Sequence, residues 1–261
     1  MNREKLINLA ATPEEREVTA RVLDLAETVL KTRRPKTTDF YDPYRRSMVV
    51  RVIEAIPDLA ARVDGGHPVA ERSRVFICPD FMADHEPDAG LAVLEIRGNF
   101  LYAVAGHRDY LGALLGLGLQ RDKLGDIWVS DSGAQVVVAR EVSSYIIAGL
   151  TSVGRVNVTV REICREEIRP PEPETRDIST TVQSMRLDTV AAHGFGLSRS
   201  KMVREINAGK VYLNWRPCLD PSARINAGDM LSARGRGRVE VAEAGARTKK
   251  GRMVLLLKRF K

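Results

Sequence analysis

Two short stretches late in the chain carry the residue types that grip phosphate. One is Ser198-Arg199-Ser200-Lys201, with Arg204 three residues further on; the other is Arg234-Gly235-Arg236-Gly237-Arg238. A guanidinium fork matches phosphate oxygens bidentately, and an ammonium acts as a compact point charge. If the first stretch is helical, Lys201 and Arg204 are neighbours on one face. Arg199 then stands at the helix N-terminus, where backbone N–H groups also meet phosphate. In the second stretch glycine keeps the backbone slim enough for close approach. Taken singly, a charged helix face is ordinary solvated surface and RGRGR an ordinary flexible turn. Taken together, they suit two backbone positions of one folded polyanion.

The distribution of charge supports the joint reading. Residues 181–261 hold 17 Lys+Arg against 6 Asp+Glu, whereas the preceding residues hold 24 against 28. All of the positive excess in a net charge of +7 therefore lies in the last third. Such asymmetry implies a polyanion partner for one module. A membrane surface selects an amphipathic basic helix with a large apolar face. Here the basic residues spread over predicted strands and turns, which favours nucleic acid and no membrane. No apolar run approaches the roughly 18–20 residues that span a bilayer. The longest, such as Val136-Val137-Val138-Ala139, are strand-sized. The opening MNREKLINLA lacks the apolar core of a signal peptide, so a soluble cytoplasmic protein is expected.

Catalytic and metal chemistry find little support. Cys78, Cys164 and Cys218 are far apart and form no CxxC pair, so buried or half-buried thiols are expected. His67, His85, His107 and His193 lack metal-ligand spacing. No metal and no cofactor are expected. His107-Arg108-Asp109 echoes a kinase catalytic loop, but no glycine-rich loop or DFG accompanies it, so it is expected to start a helix. Asp109, Asp122 and Asp126 stand in no recognisable catalytic context.

The elements around these residues point to an α+β chain. Residues 1–72 read as a helical N-terminal segment. Thr12-Pro13-Glu14-Glu15 starts one helix, KTRRPK at residues 31–36 ends it, and another begins near Asp42-Pro43. Residues 73–168 read as a ferredoxin-like, RRM-like βαββαβ domain. Its first strand is predicted over Phe100–Ala105, after a turn at Arg97-Gly98-Asn99. Residues 169–180, with Pro170, Pro171 and Pro173, read as an extended linker. Residues 181–261 form the last domain. There a helix over Val182–His193 is followed by Ser198 capping a second helix, with Gly209 ending it before strand Lys210–Trp215. Met202, Val203 and Ile206 share the face that should pack on the strands.

The run from Arg186 to Val239 resembles the S4 RNA-binding domain. It does so through Arg186-Leu187-Asp188, Ser198-Arg199-Ser200-Lys201, Ile206, Gly209, Val211, Asn214, Ile225 and Gly228-Asp229. Upstream, GHRDYLGALLGLGLQRDKLGDI and GGHPVAERSRVFICP are similar to the bacterial YlmH family, which sets an RRM-like domain before a C-terminal S4 (αL) domain. This resemblance covers most of the chain. It implies a non-catalytic binder of structured RNA on the large ribosomal subunit, at stalled complexes that still hold peptidyl-tRNA, in ribosome-associated quality control. The implied partners are rRNA and tRNA, met by a monomer. Arg199, Lys201, Arg204, Arg234, Arg236 and Arg238 would be the anchors. Ser198, Ser200, Lys210 and Asn214 complete the set, with Arg186 divided between RNA contact and a structural role beside Asp188, and Asn214 and Asp229 also read as serving strand ends and turns. An S4-linked pseudouridine synthase is the enzymatic alternative, but its catalytic domain usually follows S4, which stands last here. A division- or photosynthesis-associated factor is the other. An RRM stacks bases on aromatics of its central strands. Phe100 and Tyr102 fall on the predicted first strand, yet residues 134–139 carry no aromatic and the RNP1 pattern is missing. The middle domain is therefore expected to dock protein or backbone rather than stack bases.

Overall fold

The computed structural model describes residues 3–8, 10, 12–84, 88–100, 103–248 and 251–260. The chain forms two compact units, Met1–Pro171 and Glu172–Lys261, and the division falls inside the proline-rich stretch.

The first unit opens with α1 (Arg3–Ile7), α2 (Pro13–Thr32), β1 (Lys36–Thr37), α3 (Pro43–Glu54), β2 (Leu59–Asp64) and β3 (Arg74–Pro79). The Thr12 hydroxyl accepts the Glu15 N–H at 3.2 Å, and the Asp42 carboxylate accepts that of Arg45 at 2.9 Å. Each cap precedes a proline, whose fixed φ suits the first helical position. Val22, Leu23, Ala26 and Val29 from α2 then meet Val49, Val52 and Ile53 from α3 over Val75 and Ile77 of β3. The N-terminal helices thus lie on a small antiparallel sheet of order β1-β3-β2. The sequence pattern did not show β1 or β2, whose residues carry little alternation.

The middle of the chain continues with β4 (Leu91–Gly98), α4 (His107–Gly116), β5 (Leu124–Ser130), β6 (Gly133–Ala139), α5 (Arg140–Gly149), β7 (Ser152–Val153) and β8 (Val156–Ile163). The sheet order is β5-β6-β4-β8-β7, with antiparallel neighbours throughout. This is the βαββαβ arrangement of ferredoxin-like folds. Its first strand is β4, not Phe100–Ala105. β4 runs straight through Arg97 and Gly98, which pair with Thr159 and Val158. Opposite Arg97 stands Gly133, where a Cβ would lie 1.9 Å from the Ile96 carbonyl oxygen, so glycine alone lets the strands close. Phe100, Ala103 and Ala105 pack on the core from a loop, with the Phe100 ring 5.7 Å from Tyr110. Leu101 and Tyr102 lie outside the described residues.

The second unit comprises β9 (Thr175–Val182), α6 (Leu187–Phe195), α7 (Arg199–Asn207), β10 (Val211–Leu213), β11 (Arg216–Pro217), β12 (Met230–Ala233), β13 (Gly237–Arg247) and β14 (Met253–Phe260). They form one sheet of order β11-β10-β12-β13-β14-β9. Residues 175–180, read as linker from sequence, belong to β9, which pairs with β14 from Thr175↔Phe260 to Val182↔Met253. Accordingly α6 starts at Leu187 rather than Val182. Leu187, Val190 and Phe195 of α6 join Met202 and Ile206 of α7 over Leu231, Val239, Leu255 and Leu257. At Gly194 a Cβ would meet Val239 Cγ1 at 2.8 Å, so glycine sets how closely α6 sits on β13.

Candidate nucleic-acid interface

Helix α7 organises the basic groups of the second unit. The Ser198 hydroxyl accepts the Lys201 N–H at 3.3 Å and so caps it, as the sequence indicated. Met202 and Ile206 are fully buried, Val203 is half-buried, and Lys201 and Arg204 are exposed on the opposite side. Among the described residues neither Lys201 nor Arg204 meets a carboxylate. Nine residues make a helix about 13 Å long. At its far end Gly209 takes φ +68°, and the Lys210 N–H closes on the Glu205 carbonyl at 3.1 Å. The Lys210 ammonium lies 3.2 Å from the Glu205 carboxylate. The Arg234 N–H donates to the Lys210 carbonyl at 2.9 Å, which stitches the β12–β13 turn beside the end of α7.

At the other end of α7, Asp188 braces two arginines. Its side chain is 2% exposed. Arg186 donates Nε and Nη2 to it at 3.2 Å each, and Arg199 donates the same two nitrogens at 2.9 and 2.8 Å. The Thr189 hydroxyl adds a bond at 3.0 Å. Burial pushes the Asp188 carboxyl up, but the Arg186, Arg199 and Thr189 bonds outweigh it and hold the group below its usual range. The structural role considered for Arg186 is therefore present. Arg199, read as a helix-terminal phosphate anchor, is committed to the same carboxylate, because its position on α7 turns toward α6 rather than outward. Each guanidinium has five N–H donors and directs one edge at Asp188. The other edges stay at the surface, with side chains 39% and 59% exposed. Two arginines on one aspartate leave a net positive charge held in fixed geometry.

Two further candidate residues have partners outside α7, and the turn role also read for Asn214 is present. The Asn214 amide donates to Asp229 at 2.8 Å and accepts the Met230 N–H at 2.8 Å, so it shapes the turn after β10, where its own φ is +50°. Arg238 has a ring partner. It neighbours the buried Val239 on β13, and strand alternation sends it to the other face, 5.6 Å over the Phe260 ring. Ser200 is exposed, its hydroxyl 3.3 Å from that of Ser198. Arg236 is half-buried at the turn. Arg224, which motif reading passed over, pairs with Arg186 through an isolated β-bridge. Its only sequence signal was its place beside Ile225.

In the first unit the sheet face that an RRM presents to bases is occupied by the chain itself. Phe40, 1% exposed, packs with Leu91, Val137 and Ala139, and a Cβ at Gly125 would meet its ring at 2.8 Å. Ile168 covers Val93 and Ile163. The Gln135 amide donates to the Glu167 carbonyl at 3.0 Å and accepts the Arg169 N–H at 2.7 Å. Two of the three aspartates considered for catalysis hold backbone N–H groups. Asp109 accepts the Gly106 N–H at 2.8 Å at the start of α4, where the HRD triplet does begin a helix. Asp126 accepts the Glu71 and Arg72 N–H groups at 2.6 and 3.2 Å. Asp122 lies close by, with one carboxylate oxygen buried. Cys164, expected to be at least half-buried, is exposed, since it stands where β8 leaves the sheet. Among the described residues no three His, Cys, Asp or Glu side chains group as a metal site, and no helix is long and apolar enough to cross a membrane.

A capped basic helix, packed with its partner on an antiparallel sheet, defines the second unit as an S4-class RNA-binding fold. Residues 185–231 match the S4 domain. Residues 14–81 match "YlmH, N-terminal", and residues 85–167 match "Putative RNA-binding domain in YlmH". The chain belongs to the YlmH family. It is 32% identical over 248 residues to "Ribosome-associated protein quality control protein P2" of Bacillus subtilis, covering 95% of this chain and 96% of that one. The solved "Cell division protein ylmH from Streptococcus pneumoniae" shares the fold at a TM-score of 0.51 and 24% identity, over 60% of this chain and 96% of that one.

Proposed function

We propose that this chain binds structured RNA of the large ribosomal subunit along α7, without chemistry of its own, and acts in ribosome-associated quality control on subunits that still hold peptidyl-tRNA. The carrying observation is the set of cations on and around α7: Arg199 on the Asp188 brace at its start, Lys201 and Arg204 exposed along it, and Lys210, beside Glu205, with Arg234 at its end. The Bacillus subtilis relative, named for ribosome-associated quality control, supports the pathway. Arg186 and Arg199 offer their outer edges to phosphate, Lys201 and Arg204 add mobile charge, and Arg234 and Arg236 reach a second backbone position. The Ser198 and Ser200 hydroxyls serve the same backbone. Arg238, over the Phe260 ring, adds the third guanidinium of the turn, and Asn214 shapes the turn after β10. The protein works as a soluble cytoplasmic monomer, with residues 73–168, which include the match to "Putative RNA-binding domain in YlmH", as a platform for protein or RNA backbone rather than for stacked bases, and the proline-rich segment as a semi-rigid spacer.

The test is the salt dependence of binding to purified large subunits. Each phosphate contact adds roughly 0.7–0.9 to the log–log slope. Lys201→Ala with Arg204→Ala is expected to lower the slope by about 1.5. An unchanged slope removes both residues from the interface. Failure of the wild-type chain to co-sediment with large subunits at low salt overturns the reading as a whole.

A further inference from the structure

A cleft of 510 Å³ opens on the second unit, beside the Asp188 brace. Its floor is apolar, formed by Met185, Ile225 and Met253, which continue into the unit's core. The β13 backbone is bulged between Ala244 and Arg247, and Ala244 lines the cleft. Arg186 and Arg224 border it, held side by side by their isolated bridge and by the Ile225 N–H on the Met185 carbonyl at 2.9 Å. Arg224 is exposed. The carboxylates facing Arg186 are Asp188, already shared with Arg199, and Asp220. Gln183 and Asn226 place exposed carboxamides on the rim.

We propose that this cleft takes one nucleotide of the bound RNA, lifted out of its stack. The proposal rests on the RNA-binding reading above and deepens it. Each part of a nucleotide finds its chemistry here. The flat base covers the Met185, Ile225 and Met253 floor, the carboxamides of Gln183 and Asn226 address its edge, and the guanidiniums of Arg186 and Arg224 take its phosphate. The volume falls within the range of about 300–1,000 Å³ typical of small-ligand clefts. Continuity decides for RNA over a free metabolite, because Arg186 belongs both to the Asp188 brace and to the cleft wall. A phosphate chain followed along α7 arrives at the cleft mouth with its next residue free to turn in.

The experiment uses the full chain and two RNA hairpins with one stem sequence, the second carrying a single bulged 2-aminopurine. The wild type is expected to bind the bulged hairpin about tenfold more tightly, the effect of about 1.4 kcal/mol from burying one base face on the apolar floor. Arg224→Ala removes the phosphate fork, and Ala227→Trp fills the cleft from its rim without changing charge. Both are expected to bring the preference below about twofold. Because Ala227→Trp leaves every cation in place, loss of preference there cannot come from weakened electrostatics. Equal binding of the two hairpins by the wild type overturns the cleft assignment and leaves the α7 reading standing. A preference that survives in either variant also overturns it. Binding to neither hairpin sinks the RNA-binding reading, and the cleft proposal with it.

Discussion

Replacing Asp188 by asparagine keeps the shape of the side chain and removes its charge. Two guanidiniums then face each other across a neutral amide, at the place where α6 and α7 begin. Removing one partner of a buried ion pair costs about 3–5 kcal/mol. The arginine side chains are 39% and 59% exposed, so water screens part of that loss. A discounted cost of about 2–3 kcal/mol remains. At 1.4 kcal/mol per factor of ten, opening of the second unit becomes about 30- to 150-fold more frequent. Hydrogen–deuterium exchange at the amides of Val190 and Ala191, both buried in α6, reads this directly. Amides of the first unit, such as Val136, provide the internal reference. The reasoning also requires that Arg199→Leu in the Asp188→Asn background recover part of the loss, since it removes one of the two repelling charges. Exchange in α6 within about threefold of wild type would refute the brace as a stabilising element.

The same carboxylate sets a pH dependence. Its folded value lies below the ordinary 3.8, so its stabilisation is complete above 3.8 and is lost as pH falls through the depressed value. The difference in urea midpoint between wild type and Asp188→Asn should stay flat from neutral pH to about pH 5 and shrink below about pH 4. Phe40→Ala should destabilise the first unit by about 3–5 kcal/mol and red-shift the Trp128 emission, because Phe40 and Trp128 share one cluster on the sheet. A Trp128 spectrum identical to wild type would show that the sheet face stays covered without Phe40. Gly194→Ala should lower stability by about 1–2 kcal/mol by thermal melting, the clash with Val239 exceeding the gain in helix propensity. Adding Val239→Ala should return part of the loss.

Much of the second unit was legible because its signals are local. Ser198 before an amphipathic turn and Gly209 after it mark α7 by capping chemistry alone, and the buried Met202 and Ile206 follow from the helical period. Arg199 shows the limit. A basic residue at a helix start reads as a phosphate anchor until its partner is known, and Asp188 lies eleven residues away on another helix. Arg224 gave no warning, since its meaning depends on a bridge to Arg186 across the unit. The misread strands share a cause. Phe100, Ala103 and Ala105 are apolar because they cover a core, which a loop does as well as a strand. Arg97-Gly98 resembled a turn, while the pairing that keeps it extended comes from β8, some sixty residues later. The occupied sheet face was likewise hidden, for Phe40 and Ile168 reach it from opposite sides of the domain in sequence.

The pairing of β9 with β14 orders events while the chain is being made. β9 leaves the polymerising machinery roughly seventy residues before Met253, and until then its hydrogen-bonding edge has no partner. A bare edge of that kind invites other nascent chains. Arg176 and Asp177 at its start, and Ser179, Thr180 and Thr181 after them, make a poor template for such association, in the manner of gatekeeper residues. Closure of the sheet is therefore a late, long-range step, and the polar composition of β9 keeps the waiting segment dispersed until β14 arrives.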